Sequence, residues 1–187
     1  MMGQRSSYQI KVTLNGIKPP VWRRLLVPGE LALKDFHQVL QRAFGWDNDH
    51  LHQFSVSRRR LPERFRLDEI LTGEKQAITY EYDFGDGWEH RVVLEKIVDS
   101  PDASISCIAG ARACPPEDCG GVPGYYQLLN IIADPSHPEH GRLLDWVGPG
   151  FDPERFDISR INSALARIKR RDVTAPSRAI RRKRRAP

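Results

Sequence analysis

The segment Tyr80-Glu-Tyr-Asp-Phe-Gly-Asp-Gly-Trp-Glu-His90 decides how this chain folds. Ile78, Tyr80, Tyr82 and Phe84 alternate with other residues, the period of a strand with one buried face. Trp88 to Val98 reads as its antiparallel return, joined through Gly85-Asp86-Gly87. Asp-Gly between two strand-like runs is a strong hairpin signal, because glycine takes a left-handed turn position without steric cost. The segment also gathers Glu81, Asp83, Asp86, Glu89 and His90 about the turn. Oxygen ligands there can hold Mg²⁺, Mn²⁺ or Ca²⁺, and His90 favours a transition metal. Alternatively Asp86 serves the turn, Asp83 accepts from loop amides, and His90 is a core or sheet-face residue.

Upstream, Tyr8, Ile10, Val12 and Leu14 alternate on one face of a strand that Asn15-Gly16 ends. Pro19-Pro20 sets an extended entry to a second strand over Val21–Val27, closed by Pro28-Gly29. Leu33, Phe36, Leu40, Ala43 and Phe44 then form a helical stripe, with Gly45 where a helix C-terminus wants positive φ. His50 to Val56 reads as a strand. Arg58-Arg59-Arg60 is a short basic run, and Asp68 to Leu71 one helical turn.

Residues 99–124, with their Pro, Cys and Gly, read as one long loop. Three helices follow: Tyr125 to Ala133, one after Pro138 running toward Val147, and one after Asp157, a good N-cap. Strands followed by helices indicate an α+β single domain: a mainly antiparallel sheet, with a β-hairpin at 78–98, packed by several helices. The expected domain spans 8–171, and residues 172–187 form a basic tail with too little apolar content to fold.

The formal net charge is +5. Residues 172–187 hold Arg178, Arg181, Arg182, Lys183, Arg184 and Arg185 against Asp172, so the tail accounts for all of it. The body is neutral, and its middle, Glu81 to Asp118, is acidic. No apolar run approaches the ~20 residues that span a bilayer. The N-terminus lacks the order of a secretory signal. With three cysteines, an odd number, the default expectation is a reducing cytoplasm and free thiols.

Further candidates lie outside the hairpin. His50 and His52 on one strand face one way, a spacing that offers two nitrogen ligands if the fold brings them to the hairpin. Otherwise His52 packs with Phe54 and Val56, and His50 ends the strand. In Cys114-Pro-Pro-Glu-Asp-Cys119-Gly-Gly, Glu117 and Asp118 suit a general base and a metal ligand, and Cys119 joins them as an acidic-loop candidate. The same loop can be a rigid turn whose acids cap amides. Trp22, Trp46, Trp88 and Trp146 are a stacking platform for bases or core residues. Arg23, Arg24, Arg58, Arg59 and Arg60 line such a surface or are solvated strand and loop charge. Arg181, Arg182, Lys183, Arg184 and Arg185 are the electrostatic handle for DNA or RNA.

The blocks P-P-V-W-R-R, F-G-W, H-L-H-Q-F, Y-D-F-G-D-G-W-E-H, P-P-E-D-C-G-G and F-D-P-E-R-F-D, in that order from Tyr8 to Leu165, resemble the plasmid pRiA4b ORF-3-like family. The resemblance implies an α+β single domain found on plasmids and chromosomes. Some members are named as insertion-element passenger proteins of resolvase type. It assigns no catalytic residue, and no serine near this N-terminus sits in a recombinase setting. The leading expectation is a cytoplasmic binding or accessory domain linked to mobile-element nucleic-acid processes. A metal-dependent hydrolase or nuclease with a divalent metal, and a protein-interaction module docking a basic partner, are the alternatives.

Overall fold

The computed structural model describes residues 6–99 and 104–168. Its centre is a seven-stranded antiparallel sheet in the order β4-β3-β5-β6-β1-β2-β7. In chain order the strands are β1 (Ser6–Leu14), β2 (Trp22–Pro28), β3 (His52–Val56), β4 (Arg59–Leu61), β5 (Ala77–Tyr82), β6 (Trp88–Asp99) and β7 (Ser106–Ala111). The helices are α1 (Leu33–Phe44), α2 (Leu67–Ile70), α3 (Gly121–Ile132), α4 (His140–Val147) and α5 (Ile158–Leu165). No described helix is long and apolar enough to cross a membrane.

The period-two pattern of β1 drives Tyr8, Ile10, Val12 and Leu14 into the core. They meet α1, whose Leu33, Phe36, Val39, Leu40 and Phe44 are buried. Gly45 ends α1 at φ 86°, as its position indicates. The outward sheet face is polar: Arg24 pairs bidentately with Glu95 at 2.6 and 2.9 Å, and Gln9 donates to the same carboxylate at 2.8 Å. Helix α5 packs on both α1 and β7, and α3 on α4. The α5 N-terminus is capped by Asp157, which accepts from Arg160 N at 2.9 Å.

Several elements differ from the sequence reading or add to it. The long loop expected over 99–124 contains β7, which pairs with β2 and closes that edge of the sheet. Ser-Cys-Ile-Ala-Gly-Ala has little alternation of its own; the open edge of β2 recruits it. Helix α3 starts at Gly121 rather than Tyr125, with Pro123 accommodated in its first turn. The basic run after β3 is a hairpin, in which Ser57 and Arg58 take positive φ of 47° and 65° before β4. Strand β3 begins at His52, not His50, because its pairing with β5 starts at His52–Tyr82. The basic tail expected over 172–187 lies outside the described residues.

Candidate functional site

The hairpin turn runs Asp83 to Gly87, closed by Gly87 N donating to Asp83 O at 2.6 Å. Gly87 holds the expected left-handed conformation at φ 68°, and Asp83 holds a second at 56°. The Asp83 side chain stabilises this backbone: Oδ1 accepts from Gly85 N at 2.9 Å and Asp86 N at 3.3 Å. Its other oxygen faces His50 Nδ1 at 3.7 Å, although the residue is only 6% exposed. The turn role expected of Asp83 is therefore present, and its second oxygen faces His50.

His50 is placed by Tyr82, whose hydroxyl accepts from Asp49 N at 3.1 Å and His50 N at 3.4 Å. Tyr82 in turn donates to Glu117 Oε1 at 2.7 Å, and that oxygen also accepts from Asp47 N at 3.2 Å. Glu117 therefore ties the 114–121 loop to the segment after α1. Trp46 adds a second tie, with Nε1 donating to Pro115 O at 3.1 Å while its ring stacks on Tyr82. Asp86 supplies a third, accepting from Gly120 N at 3.1 Å through Oδ2. These ties leave Asp118 Oδ1 3.4 Å from His50 Nε2. His50, Asp83 and Asp118 present ligand atoms that all lie within 4.8 Å of one another. Asp118 is 74% exposed at the side chain, so the cluster opens to solvent.

The predicted hairpin ligands separate. Asp86 is spent on Gly120 N and stands outside the cluster. His90 lies in the core at 0% exposure, its Nδ1 3.1 Å from Trp88 O and its ring edge-on to Phe44 and Trp46. Burial pushes its pKa down to about 3, so it is a neutral core histidine. His52, pointing inward from β3, stacks on His37 with centroids 3.5 Å apart and has its Nε2 3.4 Å from Glu63. The shared face expected for His50 and His52 does not form, because His50 precedes the strand. Burial raises the Cys119 thiol to about 12, with Asp86 adding to it, and Cys119 stands outside the cluster of His50, Asp83 and Asp118. Asp118, named in sequence as a loop acid, proves to be the third member of the cluster.

Trp46 and Trp88 are core residues, whereas Trp146 is exposed. Trp22 lies beneath Lys11 and Arg24 on the outer sheet face. Arg23 contradicts the solvated-charge reading: it is 3% exposed. The signal was present in Val21, Arg23, Leu25 and Val27, whose alternation puts the arginine on the buried face. A groove of about 840 Å³, whose lining does not include Asp118, is bounded by the C-terminus of α1, residues 113–117 and α5. Arg23 forms part of its lining.

The family model described as "Plasmid pRiA4b ORF-3-like protein" matches residues 6–160. An uncharacterized protein, y4hQ, of Sinorhizobium fredii (strain NBRC 101917 / NGR234) is 34% identical over 179 residues, covering 86% of this chain and 91% of that protein. The crystal structure of MM3350, a protein of unknown function from Methanosarcina mazei Go1, superposes with a TM-score of 0.74 at 32% identity. That alignment covers 83% of this chain and 96% of MM3350. The sequence blocks from Phe44-Gly-Trp, Tyr82–His90, Pro115–Gly121 and Phe151–Asp157, scattered along the chain, meet around the 113–121 loop and its groove. The chain belongs to the plasmid pRiA4b ORF-3-like family.

Proposed function

We propose that the hairpin end of the sheet binds one divalent cation through His50, Asp83 and Asp118, and that the domain is a metal-dependent binding or hydrolytic module. The observation that carries this reading is the convergence of three potential ligands from three separate segments on one solvent-facing point. One imidazole and two carboxylates suit Mn²⁺, Fe²⁺ or Zn²⁺ better than Ca²⁺, which prefers all-oxygen sites. Three protein ligands leave coordination positions for water, the arrangement a hydrolytic metal needs. The cation would ease the repulsion between Asp83 and Asp118, while Tyr82, Glu117 and Asp86 hold the ligand-bearing segments in place.

Calorimetric titration of Mn²⁺ and Zn²⁺ tests the site. The expected result is near-stoichiometric binding that is lost in His50→Ala and weakened at least about tenfold in Asp83→Asn, by analogy with the usual cost of perturbing metal-site residues. The asparagine can still accept from Gly85 and Asp86 amides, so the turn survives. Equal affinity in both variants would exclude the cluster.

The accessory, nucleic-acid-linked reading keeps one specific support: a body of zero net charge followed by a tail carrying the entire excess of +5. It needs no metal. The cytoplasmic assignment rests on three free cysteines, a state favoured by reducing conditions.

A further inference from the structure

We propose that the groove between the C-terminus of α1, the 113–117 loop and α5 binds a phosphate-bearing ligand of nucleotide size. Its lining contains a buried cation with no anionic partner among the described residues. Arg23 projects from the core face of β2 and is sandwiched by Phe44 and Phe156, with its guanidinium carbon 5.2 and 5.1 Å from the two ring centres. Nε donates to Ala43 O at 2.9 Å; Nη1 donates to Trp22 O at 2.8 Å and Ala111 O at 2.9 Å. All three acceptors are neutral carbonyls, and no carboxylate among the described residues pairs with it. The carbonyl end of α1 offers about half an elementary charge, so a positive excess remains. Burying an unpaired guanidinium costs several kcal/mol in general, an arrangement that makes sense where an anion completes it.

The rim repeats the pattern. Arg42, Arg160 and Arg167 line the groove, are exposed, and have no ion pair among the described residues. The facing carboxylates are largely committed elsewhere. Asp157 caps α5 and lies 3.6 Å from Arg155, Glu117 holds Tyr82, and Asp152 accepts from Glu154 N at 2.9 Å. Asp47 is the lining acid whose carboxylate has no such partner among the described residues. The lining holds five arginines against four carboxylates, a formal excess of one positive charge, and Arg23, Arg42, Arg160 and Arg167 have no carboxylate partner among the described residues. They match a phosphate, with its near-double charge and three acceptor oxygens. A volume of about 840 Å³ falls within the range of small-molecule sites, roughly 300–1,000 Å³, and leaves room for more than the anion.

This site does not rest on the cation proposed above, so it is tested in chelator with the full chain. AMP and inorganic phosphate are titrated calorimetrically into the native protein and into Arg160→Ala/Arg167→Ala. Both replaced residues are exposed and the basic tail is kept. The expected result is AMP binding that weakens by about tenfold or more in the double variant, at unchanged melting temperature. Arg23→Lys, which keeps the charge and loses the planar fork, should weaken it as well. Native affinity in the double variant would locate anion binding elsewhere, and absence of binding by either probe would also overturn the assignment. Equal affinity for phosphate and AMP would overturn its nucleotide-sized part.

Discussion

His37 shows how one side chain can set the acid stability of the fold. It lies on the buried face of α1, with Nδ1 2.8 Å from Tyr80 OH and Nε2 bonded to Asn48 Oδ1. Gln41 Nε2 donates to Tyr80 OH at 2.9 Å, which directs the phenolic proton to His37 Nδ1 and the imidazole proton to Asn48. Burial, and then the stacked His52, pushes His37 down to about 4 from its usual 6.5. The unfolded chain therefore takes up a proton near pH 6.5 that the folded chain refuses until about 4. Stability is complete above pH 6.5 and falls as the pH drops toward 4; His90, at about 3, extends the same trend. His37→Gln should lower stability at neutral pH but remove roughly 2 kcal/mol of the loss between pH 7.5 and 4.5. Urea midpoints at the two pH values check this; parallel losses in native and variant protein would refute it.

At the scale of elements, the site depends on one close approach between the hairpin and the start of α3. A Cβ built on Gly121 would sit 2.4 Å from Asp86 O, and the residue also holds φ +66°. The glycine lets the hairpin backbone lie against the helix start, where Asp86 receives the Gly120 amide. Gly121→Ala should cost about 1–3 kcal/mol from backbone strain and steric displacement. It should also weaken cation binding, because the loop carrying Asp118 must shift. Thermal melting with metal titration measures both effects, and an unchanged cation affinity would show that this packing does not position Asp118. The elements differ in how legible they were. Alternation marked β1, β5 and β6, and the apolar stripe with Gly45 marked α1, because their burial is periodic in sequence. Strand β7 and the first turn of α3 lacked such periodicity and were completed by long-range contacts.

Across the whole molecule, a neutral body precedes a tail with six cations and one acid. If the tail engages duplex DNA, the log–log dependence of affinity on salt should have a slope of roughly −5, and deleting residues 172–187 should abolish most of that dependence. Fluorescence anisotropy across a salt series measures it; an unaltered slope in the truncated chain would move DNA binding to the body. The sequence by itself determined the α+β class, the central hairpin and the family, since these follow from periodicity, turn chemistry and an ordered set of blocks. It also placed Asp83 at a turn and proposed His50, His52, Asp86, His90, Glu117 and Asp118 as partners without distinguishing among them. Tertiary structure made that choice. Strand pairing left His50 outside β3, burial took His90 into the interior, His52 stacked on His37, and Asp86 was used to bind the neighbouring loop. Asp118 joined His50 and Asp83 from 35 residues beyond Asp83. Such proximity depends on loops docking across the sheet end, through hydrogen bonds between residues far apart in the chain, and local sequence patterns do not encode it.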